Sequence, residues 1–115
     1  MPIDSSYVLM VSMDVAADKE DLFNEVYDQE HIPNLLKVPG VLSATRARSE
    51  PFRMSIGGDT KEVEAASPRY VAIYEIERPE VLAGAAWAEA VEAGRWPTEV
   101  RPHTTNRRQA LFRKR

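Results

Sequence analysis

Acid–base chemistry at a histidine is the reaction that this sequence supports first. His31 follows Tyr27 by four residues, so both side chains project from one side of a helix. An imidazole takes up and releases protons near neutral pH, and a dry cavity shifts its pKa further. Pro33 must then end, kink or restart the helix, because proline lacks an N–H and disfavours helical geometry in the residue before it. The stretch therefore predicts a pocket beside His31.

Three further side chains are candidates for contacting a ligand. Arg46 lies on a predicted strand, on the same face as Leu42, and its planar guanidinium suits a carboxylate or a carbonyl oxygen. Trp96 lies in an irregular segment, where it either closes the cavity or anchors a dimer. Glu30 falls within the apolar arc of the helix, and we expect it to contact the ligand, to orient a histidine or to pair with Arg46.

Structural roles remain open for the same residues. A histidine at a helix end can cap the last carbonyls, and its cation suits the helix dipole. Tyr27 can be a core aromatic with a satisfied hydroxyl, and Arg46 can form a salt bridge at the sheet edge. A metal site is not predicted, because Asp28 and Glu30 are two residues apart and diverge on a helix.

Composition limits the classes of protein. The chain has 115 residues and no cysteine, which predicts one domain over 1–115 and excludes thiolate chemistry. No apolar run reaches the roughly 20 residues of a membrane span. No basic cluster precedes an apolar stretch near the first residue, so we expect no secretory signal and a cytoplasmic location. The net charge of −3 combines an acidic first helix with a basic final segment, a split that we assign to protein pairing rather than to nucleic acid.

Apolar periodicity predicts six elements in the order βαββαβ. Strands are expected at 6–13, 41–48, 69–77 and 106–113, with helices at 19–31 and at 79–94. A long hairpin connection over 49–68 is read as a functional lid or a mobile insert. This order is the ferredoxin-like pattern of an α+β protein, with two helices on one face of an antiparallel sheet.

The other face of that sheet needs cover. The first and third strands are apolar on both sides, and two helices can cover only one of them. A second copy related by two-fold symmetry is the economical source, so the sequence predicts a homodimer. Trp87 and Val91 form a second apolar patch on the second helix, which is expected to meet a partner.

The central motif resembles a known family. Tyr27, His31 and Pro33, followed by Val-Pro-Gly-Val at 38–41 and a strand, are similar to the EthD-like group of the dimeric α+β barrel superfamily. The resemblance implies two ferredoxin-like protomers packed sheet to sheet, with a cavity in each. It also implies His31 as acid or base and Tyr27 as a hydrogen-bonding wall. Relatives include cofactor-independent monooxygenases, cyclases, isomerases, dehydratases and heme enzymes.

We therefore predict a homodimer that takes a small aromatic or polyketide-like molecule, either as a binding protein or as a cofactor-independent enzyme of isomerase, cyclase, dehydratase or monooxygenase type. His31 is the expected acid or base, with Tyr27, Arg46, Glu30 and Trp96 around the ligand. The alternative is a non-catalytic dimeric assembly module, which predicts a sealed core around His31. A third possibility is a heme protein with His31 as axial ligand. Neither a nucleic acid nor a membrane is an expected partner.

Overall fold

An antiparallel sheet carries the site. The computed structural model describes residues 3–115, and the strands in chain order are β1 (Tyr7–Val15), β2 (Val41–Arg48), β3 (Phe52–Ile56), β4 (Asp59–Val63), β5 (Tyr70–Ile76) and β6 (Thr104–Arg113). The central sheet has the order β2-β5-β1-β6, and β3 pairs with β4 in a separate two-stranded sheet. The βαββαβ order and the α+β class expected from the sequence are confirmed, with the hairpin inserted between β2 and β5.

The hairpin explains the long 49–68 connection. Gly57 and Gly58 turn the chain between β3 and β4 with φ of +62° and +87°, which only glycine adopts without strain. Nearly all its side chains are exposed, including Phe52, Met54 and Ile56 on one face. The connection is thus an ordered arm that projects from the sheet.

Helical segments lie on one face of the central sheet. In chain order they are a 3-10 turn (Ala17–Lys19), α1 (Glu20–Val26), a π-helical turn (Tyr27–His31), α2 (Ile32–Leu36), a 3-10 turn (Pro79–Ala83), α3 (Ala85–Ala90), a second π-helical turn (Trp96–Val100) and a 3-10 turn (Arg101–His103). The helix predicted over 79–94 is shorter than expected, because Gly84 is extended and separates Pro79–Ala83 from α3. No helix in the described part of the chain is long and apolar enough to cross a bilayer.

Pro33 is accommodated by a change of helix type. The Ile32 N–H donates to the Tyr27 carbonyl, which is the wider i→i+5 bond of a π turn, and Pro33 then lies in the first turn of α2. A proline in a first turn loses no helical hydrogen bond, so the chain stays helical from 17 to 36. The α-helix thus resumes at Ile32, one residue before the position expected for a restart at Pro33.

A bulge in β2 corrects one face assignment. Val41 pairs with Ile76 and Ser43 with Glu75, so Leu42 is an extra residue in the register and is 53% exposed. Arg46, opposite Ala72, lies on the helix-covered face. The prediction that Leu42 and Arg46 share a face is therefore wrong, since the bulge interrupts the alternation.

Candidate functional site

His31 lies in a cluster of aromatic rings. Its imidazole stacks on Trp96, with ring centroids 4.2 Å apart and planes inclined by 18°. Tyr27 presents its ring edge-on, 5.0 Å away at 89°. The π turn brings Tyr27 and His31 to the same side of the helix, as their spacing predicted, and His31 is only 6% exposed. The structure therefore brings three of the predicted residues together.

Trp96 is held in this position by a turn that Glu30 binds. Glu30 Oε1 accepts the backbone N–H of Arg95 at 2.9 Å, and Oε2 accepts Arg95 Nε at 2.5 Å. These two hydrogen bonds lower the pKa of the Glu30 carboxyl, the backbone one most strongly. Gly94 has φ of +69°, and a Cβ there would lie 2.6 Å from Glu30 Oε1. Glu30 pairs with Arg95 rather than with Arg46, and it does not line the cavity described below.

Arg46 lies behind Tyr27, outside that cavity. Its guanidinium carbon is 4.4 Å from the centre of the Tyr27 ring, a cation–π distance. Nη1 donates to Asp28 Oδ1 at 2.7 Å and Nη2 donates to Asn24 Oδ1 at 2.9 Å. The structure thus gives Arg46 the salt bridge that the sequence left open, and its partner is Asp28.

A cavity of about 310 Å³ opens beside His31. Its apolar lining comes from the sheet and from the helical segments, and its polar groups are few. The lining residues are Leu9, Val11, Met13, Tyr27, His31, Leu35, Tyr74, Leu82, Trp87, Val91, Trp96, Arg101, Arg107 and Gln109. This volume and this mainly apolar lining are typical of sites for small organic ligands.

The imidazole and the two phenols in the cavity are uncharged at neutral pH. Burial, helped by the charges of Arg101 and Arg46, lowers the pKa of His31 to about 4. Burial also raises the pKa of Tyr27 and of Tyr74, whose hydroxyl oxygens are 3.4 Å apart. His31 Nδ1 is buried and has no hydrogen-bond partner among the described residues. The site therefore holds a neutral imidazole with unused hydrogen-bonding capacity beside two protonated phenols.

Several lining residues were missed or misassigned from the sequence. Trp87 and Val91 were expected to meet a partner, but both line the cavity. The sequence places Tyr74 in a strand but does not single it out as a site residue. Strand alternation puts it on the same face as the buried Ala72 and Ile76, which is the face that the helices cover. The sequence analysis does not identify Arg107 and Gln109. They lie in the charged part of β6, where apolar and polar residues do not alternate clearly enough to show which face of the sheet a side chain occupies.

Comparison with known proteins was made for sequence and for structure. No protein-family model and no curated protein matches the chain. A mutant of MhuD with two manganese protoporphyrin IX molecules bound per active site superposes with a TM-score of 0.61 at 18% identity, covering 94% of this chain and 93% of that one. The heme degrader MhuD from Mycobacterium tuberculosis, with two hemes bound in its active site, gives 0.60 at 17% identity, covering 94% of each chain.

A third structure is an ethyl tert-butyl ether degradation (EthD) family protein from Bacillus halodurans. It superposes with a TM-score of 0.57 at 13% identity, covering 95% of this chain and 99% of that one. The chain therefore shares the ferredoxin-like α+β fold of these three structures. The resemblance to the EthD-like group is thereby confirmed for the fold, which hosts many unrelated activities.

Heme does not fit the residues of this cavity. A metal-ligating histidine normally donates its second ring N–H to a carboxylate or a carbonyl, and Nδ1 of His31 has no such partner. The imidazole also lies flat against Trp96, and the cavity is at the small end of the range for organic ligands. Among residues 3–115, no group of three or more His, Asp or Glu side chains could hold a metal ion.

Proposed function

We propose that this protein binds a small aromatic or polyketide-like molecule in the cavity and transforms it without a cofactor, with His31 as general base. The observation that carries the proposal is the neutral, buried imidazole with an unpartnered ring nitrogen beside an apolar cavity. Unsatisfied buried polar groups are rare in native proteins, and a ligand is one of the standard reasons for them. Isomerisation, cyclisation and dehydration all require such a base next to a carbonyl compound.

The surrounding side chains have distinct roles in this proposal. The hydroxyls of Tyr27 and Tyr74 form one polar pair, which can donate a hydrogen bond to a developing oxyanion. Trp96 fixes the plane of the imidazole and provides an aromatic wall. Glu30 holds the turn before Trp96 and so acts by positioning that ring, whereas Arg46 packs against the back of Tyr27 and stabilises the fold; neither touches the ligand.

The second candidate is the non-catalytic assembly module. It requires a core that is closed around His31, whereas His31 lines an open cavity. The cavity therefore favours the binding or catalytic function. The cytoplasmic location stays a prediction from the sequence.

The protein is proposed to be a homodimer through the uncovered sheet face. Val8 and Met10 of β1 and Phe112 of β6 lie on this face, opposite to the helices, and Phe112 is 54% exposed. Glu75 lies there too, but its carboxylate already accepts hydrogen bonds from Ser5 and from Ser43. Val8, Met10 and Phe112 give this face an apolar centre that suits burial against a second copy.

A ligand screen tests the function. The panel contains aromatic and polyketide-like acids, ketones and lactones, and thermal shift is measured for the wild type, His31→Gln and His103→Gln. His103 is the other histidine of the chain and lies outside the cavity, so its variant is the matched control. We expect compounds that raise the melting temperature of the wild type and of His103→Gln but not of His31→Gln. Compounds that stabilise all three proteins equally would refute a role for His31.

Oligomeric state is tested by light scattering after gel filtration. Phe112→Glu places a charge on the uncovered sheet face, and Phe52→Glu places one on the hairpin at nearly the same exposure. We expect a dimer for the wild type and for Phe52→Glu, and a monomer for Phe112→Glu, because burying an unpaired carboxylate opposes association. A monomeric wild type would overturn the proposed dimer.

A further inference from the structure

The cavity lining contains cations but no anion. Two arginines, Arg101 and Arg107, are among its residues, and no aspartate or glutamate is. His31, Tyr27 and Tyr74 add no negative charge, because the imidazole is neutral and the phenols stay protonated. The lining side chains therefore carry a net positive formal charge, which favours a ligand with a negative charge.

The two arginines differ in how far their charge is already neutralised. Arg101 donates to both carboxylate oxygens of Glu92, at 3.0 and 2.5 Å, and to the Val91 carbonyl at 2.7 Å. The guanidinium of Arg107 has no hydrogen bond and no ion pair within residues 3–115. A guanidinium binds carboxylates through two parallel N–H groups, and those of Arg107 remain available to a ligand.

The strand places a second donor next to Arg107. Gln109 lies opposite Val11 in the β1–β6 ladder, and both line the cavity. Arg107 precedes Gln109 by two residues and lines the same cavity, as strand alternation requires. Both side chains are exposed, so they form a polar rim at the β6 side of an otherwise apolar pocket.

We infer that the ligand of this cavity is an aromatic carboxylate, whose carboxylate binds Arg107 and Gln109 at the β6 rim while its ring packs against Trp87 and Trp96. This inference rests on the proposed function, since it names the chemical class that the same cavity takes. The apolar lining favours an aromatic ring, and the guanidinium of Arg107, which has no carboxylate partner within residues 3–115, favours an anionic group.

An anion at the rim also has a consequence for His31. The positive charges of Arg101 and Arg46 help to keep the pKa of His31 low. A carboxylate in the cavity offsets this effect and raises the pKa, because an opposite charge favours the imidazolium. Binding of the substrate thus makes His31 a stronger base at the moment when it is needed.

Isothermal titration calorimetry with β-naphthoate and its uncharged amide, β-naphthamide, tests the inference. The two probes have the same ring and nearly the same shape and differ in charge. They are titrated into the wild type, Arg107→Gln and Arg53→Gln, the last being an equal change of charge on the hairpin. Indole N–H resonances report the location, because both tryptophans of the chain line the cavity.

We expect the wild type and Arg53→Gln to bind the naphthoate about fivefold to tenfold more tightly than the amide, as a charge-assisted hydrogen bond at a partly exposed site provides. Arg107→Gln should bind both probes equally and at the affinity of the amide. Equal binding of both probes to the wild type, with shifted indole resonances, would overturn the inference and leave the proposed function standing. A preference that persists in Arg107→Gln would also overturn it. If neither probe shifts an indole resonance, the proposed function fails together with the inference.

Discussion

Two polar groups contact the same tyrosine ring and differ in their surroundings. Arg46 lies over the face of Tyr27, with hydrogen bonds to Asp28 and Asn24. His31 lies at 5.0 Å from the same ring, with a buried nitrogen that has no partner among the described residues. Arg46 is thus hydrogen-bonded to side chains of its own chain, whereas Nδ1 of His31 is not hydrogen-bonded to any described residue.

This difference separates a structural cluster from a candidate site. A buried polar group that is fully paired stabilises the fold, whereas one left unpaired opposes folding and is retained where it has a use. The cavity lies on the His31 side and excludes Arg46, which agrees with that distinction. The two sides should therefore respond in opposite ways to substitution.

The largest expected loss of stability follows from removing the indole ring of Trp96, which stacks on His31. Trp96 is 4% exposed and contacts Phe23, Tyr27 and His31, so Trp96→Ala should lower the free energy of unfolding by about 3–5 kcal/mol. Urea denaturation measures this loss. Trp87→Ala is the control, since Trp87 is only partly buried, and it should cost clearly less. Equal losses would show that the stack contributes no special stability.

Lowering the pH from 7 to 5 should reduce the stability of the folded protein, because His31 is held neutral in it. At pH 5 the unfolded chain protonates His31, whose ordinary pKa is 6.5, while the folded protein, with a pKa of about 4, does not. The wild type should thus lose about 2 kcal/mol of stability between pH 7 and pH 5 relative to His31→Phe, which keeps a ring against Trp96 but does not titrate. Urea titrations of both proteins at the two pH values measure the difference. Parallel pH profiles would mean that His31 is not held neutral.

Removing the interactions of Arg46 should lower the stability of the protein without changing ligand binding in the cavity. Arg46→Met removes the bonds to Asp28 and Asn24 and the cation over Tyr27, and we expect a loss of about 1–2 kcal/mol. The arginine is 14% exposed and Asp28 is 62% exposed, so the carboxylate left behind is solvated and the loss stays moderate. Ligands found in the thermal-shift screen should still stabilise this variant as they do the wild type. Loss of that response would place Arg46 in the site.

The smallest effect concerns the carboxylate that holds the turn before Trp96. Glu30→Gln weakens the bonds to Arg95 and should loosen Trp96, which is seen as a shift in tryptophan emission and as weaker ligand binding. Glu25→Gln is the matched control, because Glu25 contacts only the Arg95 guanidinium, at 3.1 Å, and not the backbone of the turn. The control should change neither property. A change of the same size in both variants would mean that only the charge on Arg95 matters.

Local patterns were sufficient for the order of elements and for part of the site. The spacing of Tyr27 and His31 predicts their common side because helix geometry is a short-range property. The bulge at Leu42 and the bond between Glu30 and the Arg95 backbone could not be predicted in this way. The bulge depends on the pairing of Val41 with Ile76 and of Ser43 with Glu75, which are 35 and 32 positions apart in the sequence. The Glu30–Arg95 bond joins residues 65 positions apart.

The sequence by itself determined the βαββαβ order, the uncovered apolar face and the histidine beside Tyr27, because periodicity and proline placement act over a few residues. Tertiary structure alone decided that Trp96 stacks on His31, that Trp87 faces inward and that the Arg107 side chain lies at the cavity rim with no partner among residues 3–115. Those facts depend on how separate segments approach one another across the sheet. Burial and pairing of a side chain are set by such distant neighbours, and no local pattern encodes them.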